Sequence, residues 1–232
     1  QVVTTHNGPL VDAIMPAEAE KTGPVSLKWV GAYQGGWLTA LLDMGRASDL
    51  ASFQEAARPW HVPTFSVIAA DVDGHFGYLA TGRVPWRTIA CRGYRPGWDP
   101  DHQWQGYIPF EGMPRAQDVE QGWLASANNR VAPGDYPYPM AGCWISGHRA
   151  ARIREMIESR QAHSVEDFQA MQKDVLSRRA LDCVPPLLAL LETRQEPAYQ
   201  QVAALLSDWD CRSAKESAAA AIFNIFYRHW CM

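Results

Sequence analysis

No run of apolar residues approaches the roughly 18–20 needed to cross a bilayer as a helix. No basic, apolar and small-residue succession marks a secretory leader. Cysteine is sparse and poorly spaced for chemistry. Cys91, Cys143, Cys183, Cys211 and Cys231 include no CxxC pair, which argues against zinc and thioredoxin-like sites. Their odd number leaves at least one thiol outside any disulfide within the chain, and most are expected to be buried small hydrophobes. Positive charge is not in excess. Lys and Arg number 21 against 25 Asp and Glu, a net charge of −4 that indicates no nucleic-acid or membrane-surface partner. There is no HExxH and no GxSxG, and the spacing of His6, His75, His102 and His148 fits no zinc motif. No metal ligand and no cofactor-binding residue is therefore expected. No internal repeat and no low-complexity tract is present, beyond the short alanine run at 218–221.

What remains has the balance of a folded globular chain, with 47% hydrophobic and 20% charged residues over 232 positions. Ten tryptophans are many for this length. Trp37, Trp98, Trp104 and Trp123 are expected in the core, with one of them a candidate for lining a pocket.

The pattern along the chain changes from strands to helices. Thr4–Val11 holds an Asn-Gly-Pro turn between short β-like runs. Val25–Ala32 alternates and predicts a strand, and Trp37–Met44 is apolar at helical spacing. Ser48 is positioned to cap a second helix through Ala57, closed by Pro59. The clearest hairpin pairs Thr64–Ala70 with His75–Thr81 around Asp71-Val72-Asp73-Gly74, read as a turn rather than a calcium loop. Gly82 to Pro139 is rich in Gly, Pro and Trp and predicts ordered loops, interrupted by a strand at Gly122–Ala127. Ile68, Phe76, Tyr78, Leu188 and Leu191 are expected in the core.

From Gly147 onward the spacing is helical. Helices are predicted over Arg149–Ser159, from a Ser164 capping box to near Arg178, and from Pro185-Pro186 to Leu191. Two more follow over Glu196–Trp209 and Ser217–Trp230. Strands first and helices after predict an α+β fold, with residues 1–145 mainly strands and loops and 146–232 mainly helical.

The stretch Gly122–Arg130, GWLASANNR, sets two side-chain amides, Asn128 and Asn129, after a short apolar run. An amide N–H held on a rigid segment suits the stabilisation of an oxyanion in acyl transfer. Asn129 is expected to be structural. GWLASANNR, with HRAARI at His148–Ile153, resembles the penicillin acylase family of N-terminal nucleophile hydrolases. THNGP at Thr5–Pro9 resembles the family's His-Gly-Pro turn, with Asn7 added. The family's hairpin and Gly-Arg-x-Pro-x-Arg elements have counterparts in AADVDGHFGYLATGRVPWR, Ala69–Arg87. WQGYIPFEGMP, MQKDVLS, SDWD and SAAAAIF follow in the family's order. Each motif alone is weakly specific; their shared order over the whole length is not.

The resemblance implies a partial αββα fold, strands of one antiparallel sheet followed by a helical region, within an internal segment of a heavy chain. It implies hydrolysis of a linear N-acyl amide through an acyl-enzyme. Asn128 falls on the family's oxyanion-hole asparagine, and Arg149 on an arginine that supports the active site. The nucleophilic serine, which uses its own α-amine as base, would lie upstream of Gln1, as would the light chain. These missing segments and a small N-acyl amide substrate are the implied partners, with a periplasmic or secreted parent that matures by autoproteolysis. Val119-Glu120 replaces the family's Asn-Pro. A structural calcium belongs to some members, but its ligands are not matched here: Tyr138 stands at a carboxylate position, with Asp135 close by. Two other readings remain, an acyl-homoserine-lactone or lipopeptide acylase of the same mechanism, and a non-catalytic binding or scaffold homologue.

Overall fold

The computed structural model describes residues 2–15, 22–33, 35–89, 93–140, 142 and 144–231. Cys91 and Cys143 lie outside the described residues. The chain divides into two units, Gln1–Trp144 and Ile145–Met232.

The first unit opens with a minimal hairpin, β1 (Thr4–Thr5) against β2 (Gly8–Pro9). Gly8 has φ 103°, and a Cβ there would lie 2.1 Å from the Leu27 carbonyl oxygen, so only glycine fits. The predicted strand at Val25–Ala32 is not formed. Ser26 makes one antiparallel bridge to Leu10, and Val30–Ala32 turns into a 3-10 helix. Pairing to the end of β2 uses only Val25 and Leu27. Beyond them no neighbouring strand overrides the local turn.

Helix α1 (Trp37–Met44) matches its predicted bounds. Only Ala40 on it is buried, while Trp37, Leu38, Leu41 and Leu42 are exposed. Helix α2 (Leu50–Ala56) is capped by Asp49 rather than Ser48. The Asp49 carboxylate accepts from the Ser52 N–H at 2.7 Å, and Ser48 donates to Asp49 instead. An anionic acceptor also complements the helix dipole, which explains the one-residue shift.

Strands β3 (Ser66–Ala70) and β4 (Phe76–Ala80) form the predicted hairpin, with Ile68 opposite Tyr78. The Asp71 carboxylate accepts from the Asp73 and His75 N–H groups, closing the turn as an Asx motif. Its other oxygen accepts from the Leu50 N–H, tying the turn to α2. Strand β7 (Arg115–Gln117) completes an antiparallel sheet of order β3-β4-β7. Central β4 supplies Tyr78, Leu79 and Ala80 to a core shared with Ala57, Ile108 and Met113. Edge strand β3 leaves Ser66, Ile68 and Ala70 exposed on one face, so Ile68 is not core.

Strands β5 (Pro85–Arg87) and β6 (Trp104–Tyr107) pair antiparallel inside the stretch read as loops. Gly122–Ala127, by contrast, carries no ladder. Trp37 and Trp98 are exposed, against the core expectation, while Trp104 and Trp123 are half-buried.

The second unit is helical: α3 (His148–Glu158), α4 (Val165–Gln172), α5 (Arg178–Leu191), α6 (Pro197–Ser207) and α7 (Ala218–Trp230). Ser164 closes the predicted capping box with Asp167. Helix α4 stops short of Arg178 because Val175–Ser177 is drawn into pairing with Cys211–Ser213. Ser177 then caps α5 through the Ala180 N–H. Helix α5 therefore begins seven residues before Pro185 and runs through both prolines. The carbonyls that lose their helical donors belong to Leu181 and Asp182, both exposed residues. Ala180, Val184 and Leu191 pack with Leu206, Cys211, Ala219 and Phe223 in the core, with Leu188 half-buried beside them. Of the described cysteines, Cys211 is buried, Cys183 half-buried and Cys231 exposed; all three are free thiols.

Candidate active site

Asn128 sits on an irregular segment that the first unit's core holds at several points. After β7, Asp118 adopts φ 44° and residues 119–122 turn, the Gly122 N–H donating to the Val119 carbonyl at 2.9 Å. Leu124 and Val131 pack against the sheet core, and Ala127 and Ala132 are buried. Between these anchors Asn128 is exposed, with a left-handed backbone at φ 60°. Asparagine tolerates this region better than branched residues do. The Asn129 side chain fastens the turn, its Oδ1 accepting from the Ala127 N–H at 3.0 Å and its Nδ2 donating to the Arg130 carbonyl at 3.2 Å. Asn129 thus closes the loop, and Asn128 is exposed beside it.

Arg149 lies in the second unit, exposed, on the first turn of α3. That helix has no side-chain N-cap and no fully buried residue. Polar contacts help to hold it. His148 Nδ1 lies 3.3 Å from Asp182 Oδ2 on α5. Arg152 forms a fork onto Asp174, Nε to Oδ2 at 2.8 Å and Nη2 to Oδ1 at 3.2 Å. Arg212 adds a third contact to Asp174 at 3.3 Å. Glu155 bridges Arg152, at 3.3 Å, and Arg178, at 3.0 Å. The Arg152 fork holds the Asp174 carboxyl below the usual carboxylate range, against partial burial that acts the other way.

Asp174 and its arginines were not among the sequence candidates. The partners are 22 and 38 residues apart, so no local period betrays them. The only hint was Asp174's place inside MQKDVLS.

Two carboxylates of the first unit have partners of their own. Glu111 pairs with Arg58 at 2.6 Å, and Asp118 with His75 at 2.9 Å. Tyr138 packs on the sheet core and edge-on to Trp86, and Asp135 is exposed. Among the described residues, no three His, Cys, Asp or Glu side chains are grouped to hold a metal ion, and no helix is long and apolar enough to cross a membrane.

Comparison with known proteins gives these elements a context. The chain is 35% identical over 198 residues to penicillin acylase 2 proenzyme of Pseudomonas sp. (strain SE83), covering 81% of this chain and 24% of that protein. It is 27% identical over 251 residues to acyl-homoserine lactone acylase QuiP of Pseudomonas aeruginosa, covering 96% of this chain and 29% of that one. The chain thus spans about a quarter of the length of the curated relatives it matches. Among solved structures, the thermostable penicillin G acylase from Alcaligenes faecalis superposes with a TM-score of 0.67 at 22% identity. That match covers 96% of this chain and 41% of the other, and establishes similarity of fold. The penicillin amidase family matches residues 1–231. With mixed helices and antiparallel sheets, and family similarity from end to end, this chain belongs to the penicillin amidase family of amidohydrolases.

Proposed function

We propose that these 232 residues are one incomplete segment of an acylase heavy chain, mainly strands and loops to residue 145 and mainly helical after it. In this reading they contribute to an αββα N-terminal nucleophile fold. The complete protein hydrolyses a linear N-acyl amide through an acyl-enzyme formed on an N-terminal serine outside these residues. The serine hydroxyl adds to the amide carbonyl while its α-amine takes the proton. Asn128 donates its side-chain N–H to the oxyanion of the tetrahedral intermediate, which collapses with loss of the amine. Water then releases the acyl group by the same steps. Arg149 meets a carboxylate on the amine portion of the substrate by a two-pronged contact, as a guanidinium is shaped to do. By itself the segment is inactive.

The observation that carries this reading is the backbone of Asn128. Asn128 takes the left-handed conformation that asparagine tolerates, directly after buried Ala127 and beside Asn129, which clamps the turn, so its side chain leaves the loop from a fixed backbone. The relatives named penicillin acylase and acyl-homoserine lactone acylase support two substrate classes. The test is to mature the complete protein, treat it with an arylmethylsulfonyl fluoride and map the adduct by mass spectrometry. Hydrolysis of benzylpenicillin and of an N-acyl homoserine lactone is measured alongside. The adduct is expected on an N-terminal serine outside residues 1–232, with loss of activity. An adduct on a residue within 1–232, or no amide hydrolysis, would overturn the proposal.

A further inference from the structure

We propose that Asp174 is a positioning residue for Arg149. The proposal rests on the reading that Arg149 serves the substrate. It starts from how α3 is held. The helix has no side-chain cap and no fully buried residue, and its apolar side chains Ile153, Met156 and Ile157 are only half-buried, so polar contacts share in fixing its roll. Its strongest described tether is the Arg152 fork onto Asp174, a carboxylate whose side chain is only 10% exposed. Arg149 and Arg152 are three residues apart and share a helical face. Fixing the second therefore fixes the direction in which the first leaves the helix.

Asp174 is held in turn. Arg212 donates to the same carboxylate, and the flanking Val175–Ser177 stretch is hydrogen-bonded to Cys211–Ser213. Arg152 also reaches Glu155, which Arg178 at the start of α5 holds from the other side. The charges thus form a chain from the Cys211–Ser213 stretch through Asp174 to α3 and α5. Removing one member leaves partly buried charge without its partner, so the array resists rearrangement. Arg149 gains a fixed base without being buried itself.

The test uses the complete matured enzyme and two chromogenic N-acyl nitroanilides, one with a carboxylate on the ring and one without. Arg149→Ala, Asp174→Asn and the double variant form a double-mutant cycle. Arg149→Ala is expected to lower kcat/KM for the carboxylate-bearing substrate about tenfold more than for the neutral one. Asp174→Asn should show the same selectivity, and in the Arg149→Ala background its further effect should vanish. Equal cost of Asp174→Asn in both backgrounds, or equal loss on both substrates, overturns the positioning role while the reading of Arg149 stands. Unchanged kinetics for Arg149→Ala overturn both. If Asp174→Asn does not accumulate as folded protein, Arg152→Lys replaces it. That change keeps the charge, removes the fork and is judged by the same criteria.

Discussion

Asn7 shows what a single buried polar group commits a structure to. It is 7% exposed, and its side chain joins three segments. Its Nδ2 donates to the Gly97 carbonyl at 3.0 Å, and its Oδ1 accepts from Lys28 Nζ at 3.1 Å. Lys28 also donates to Gln103 at 3.2 Å and lies over the Trp104 ring. Gln103 returns to the same Gly97 carbonyl at 3.0 Å. Asn7→Ala deletes the centre of this network and leaves a lysine ammonium short of an acceptor. It should destabilise the first unit by about 1–3 kcal/mol, read as a lower urea midpoint for that unit in the complete protein. An unchanged midpoint would mean that water replaces the amide without cost. The insertion in THNGP is visible in the sequence; its partners are not, because Lys28 and Gly97 are 21 and 90 residues away.

At the level of elements, the β3–β4 hairpin is tied to β7 by a titrating contact. His75 Nδ1 lies 2.9 Å from Asp118 Oδ2, and the other Asp118 oxygen accepts from the Phe76 N–H at 2.9 Å. The Asp118 contact, with Asp71 and Asp73 near by, raises the His75 pKa. The Phe76 N–H and then His75 lower that of Asp118. A raised histidine pKa contributes stability that is complete below the unfolded value of about 6.5 and disappears as pH rises through the folded one. The lowered Asp118 pKa sets the acid limit, so the contact acts between the two folded values. Both groups are substantially exposed, and the effect is small. His75→Gln should therefore lower Tm modestly at pH 5.5 and not at pH 8.5. An equal change at both pH values would contradict the account.

Elements whose determinants are local were legible in the sequence. The hairpin at Asp71–Gly74, the Ser164 capping box and the α1 spacing all specify their structures within a few residues. Elements set by distant partners were not. Strands β5, β6 and β7 have three or four residues each, too few to show a period. Gly122–Ala127 has the composition of a strand but pairs with no strand among the described residues. The proline pair reads as a helix start because proline is favoured there. It instead lies within α5, whose true start at Arg178 depends on tertiary pairing of Ser177. The candidate site divides in the same way: Asn128 is proposed from its motif, whereas the Asp174 array is visible only in the structure.

At the scale of the whole molecule, each unit has its own core, and the first unit leaves many large apolar side chains exposed. On α1, Trp37, Leu38, Leu41 and Leu42 are 47%, 58%, 44% and 55% exposed. Trp29, Tyr33, Phe65 and Ile68 are also exposed in the first unit. Among the described residues, strand β3 leaves one edge unpaired. Surface of this kind promotes association in water. Residues 1–232 expressed alone are expected to bind a hydrophobic dye, to aggregate and to melt over a broad range. A monodisperse monomer with one sharp transition would count against this.

The central claim is that the Asn128 amide stabilises a developing oxyanion. Single-turnover acylation of the complete enzyme by a saturating N-acyl nitroanilide measures this most directly. Asn128→Ala should slow acylation by roughly 10²–10³-fold, with substrate affinity little changed. Acylation at the unaltered rate, or loss confined to substrate affinity, would contradict it.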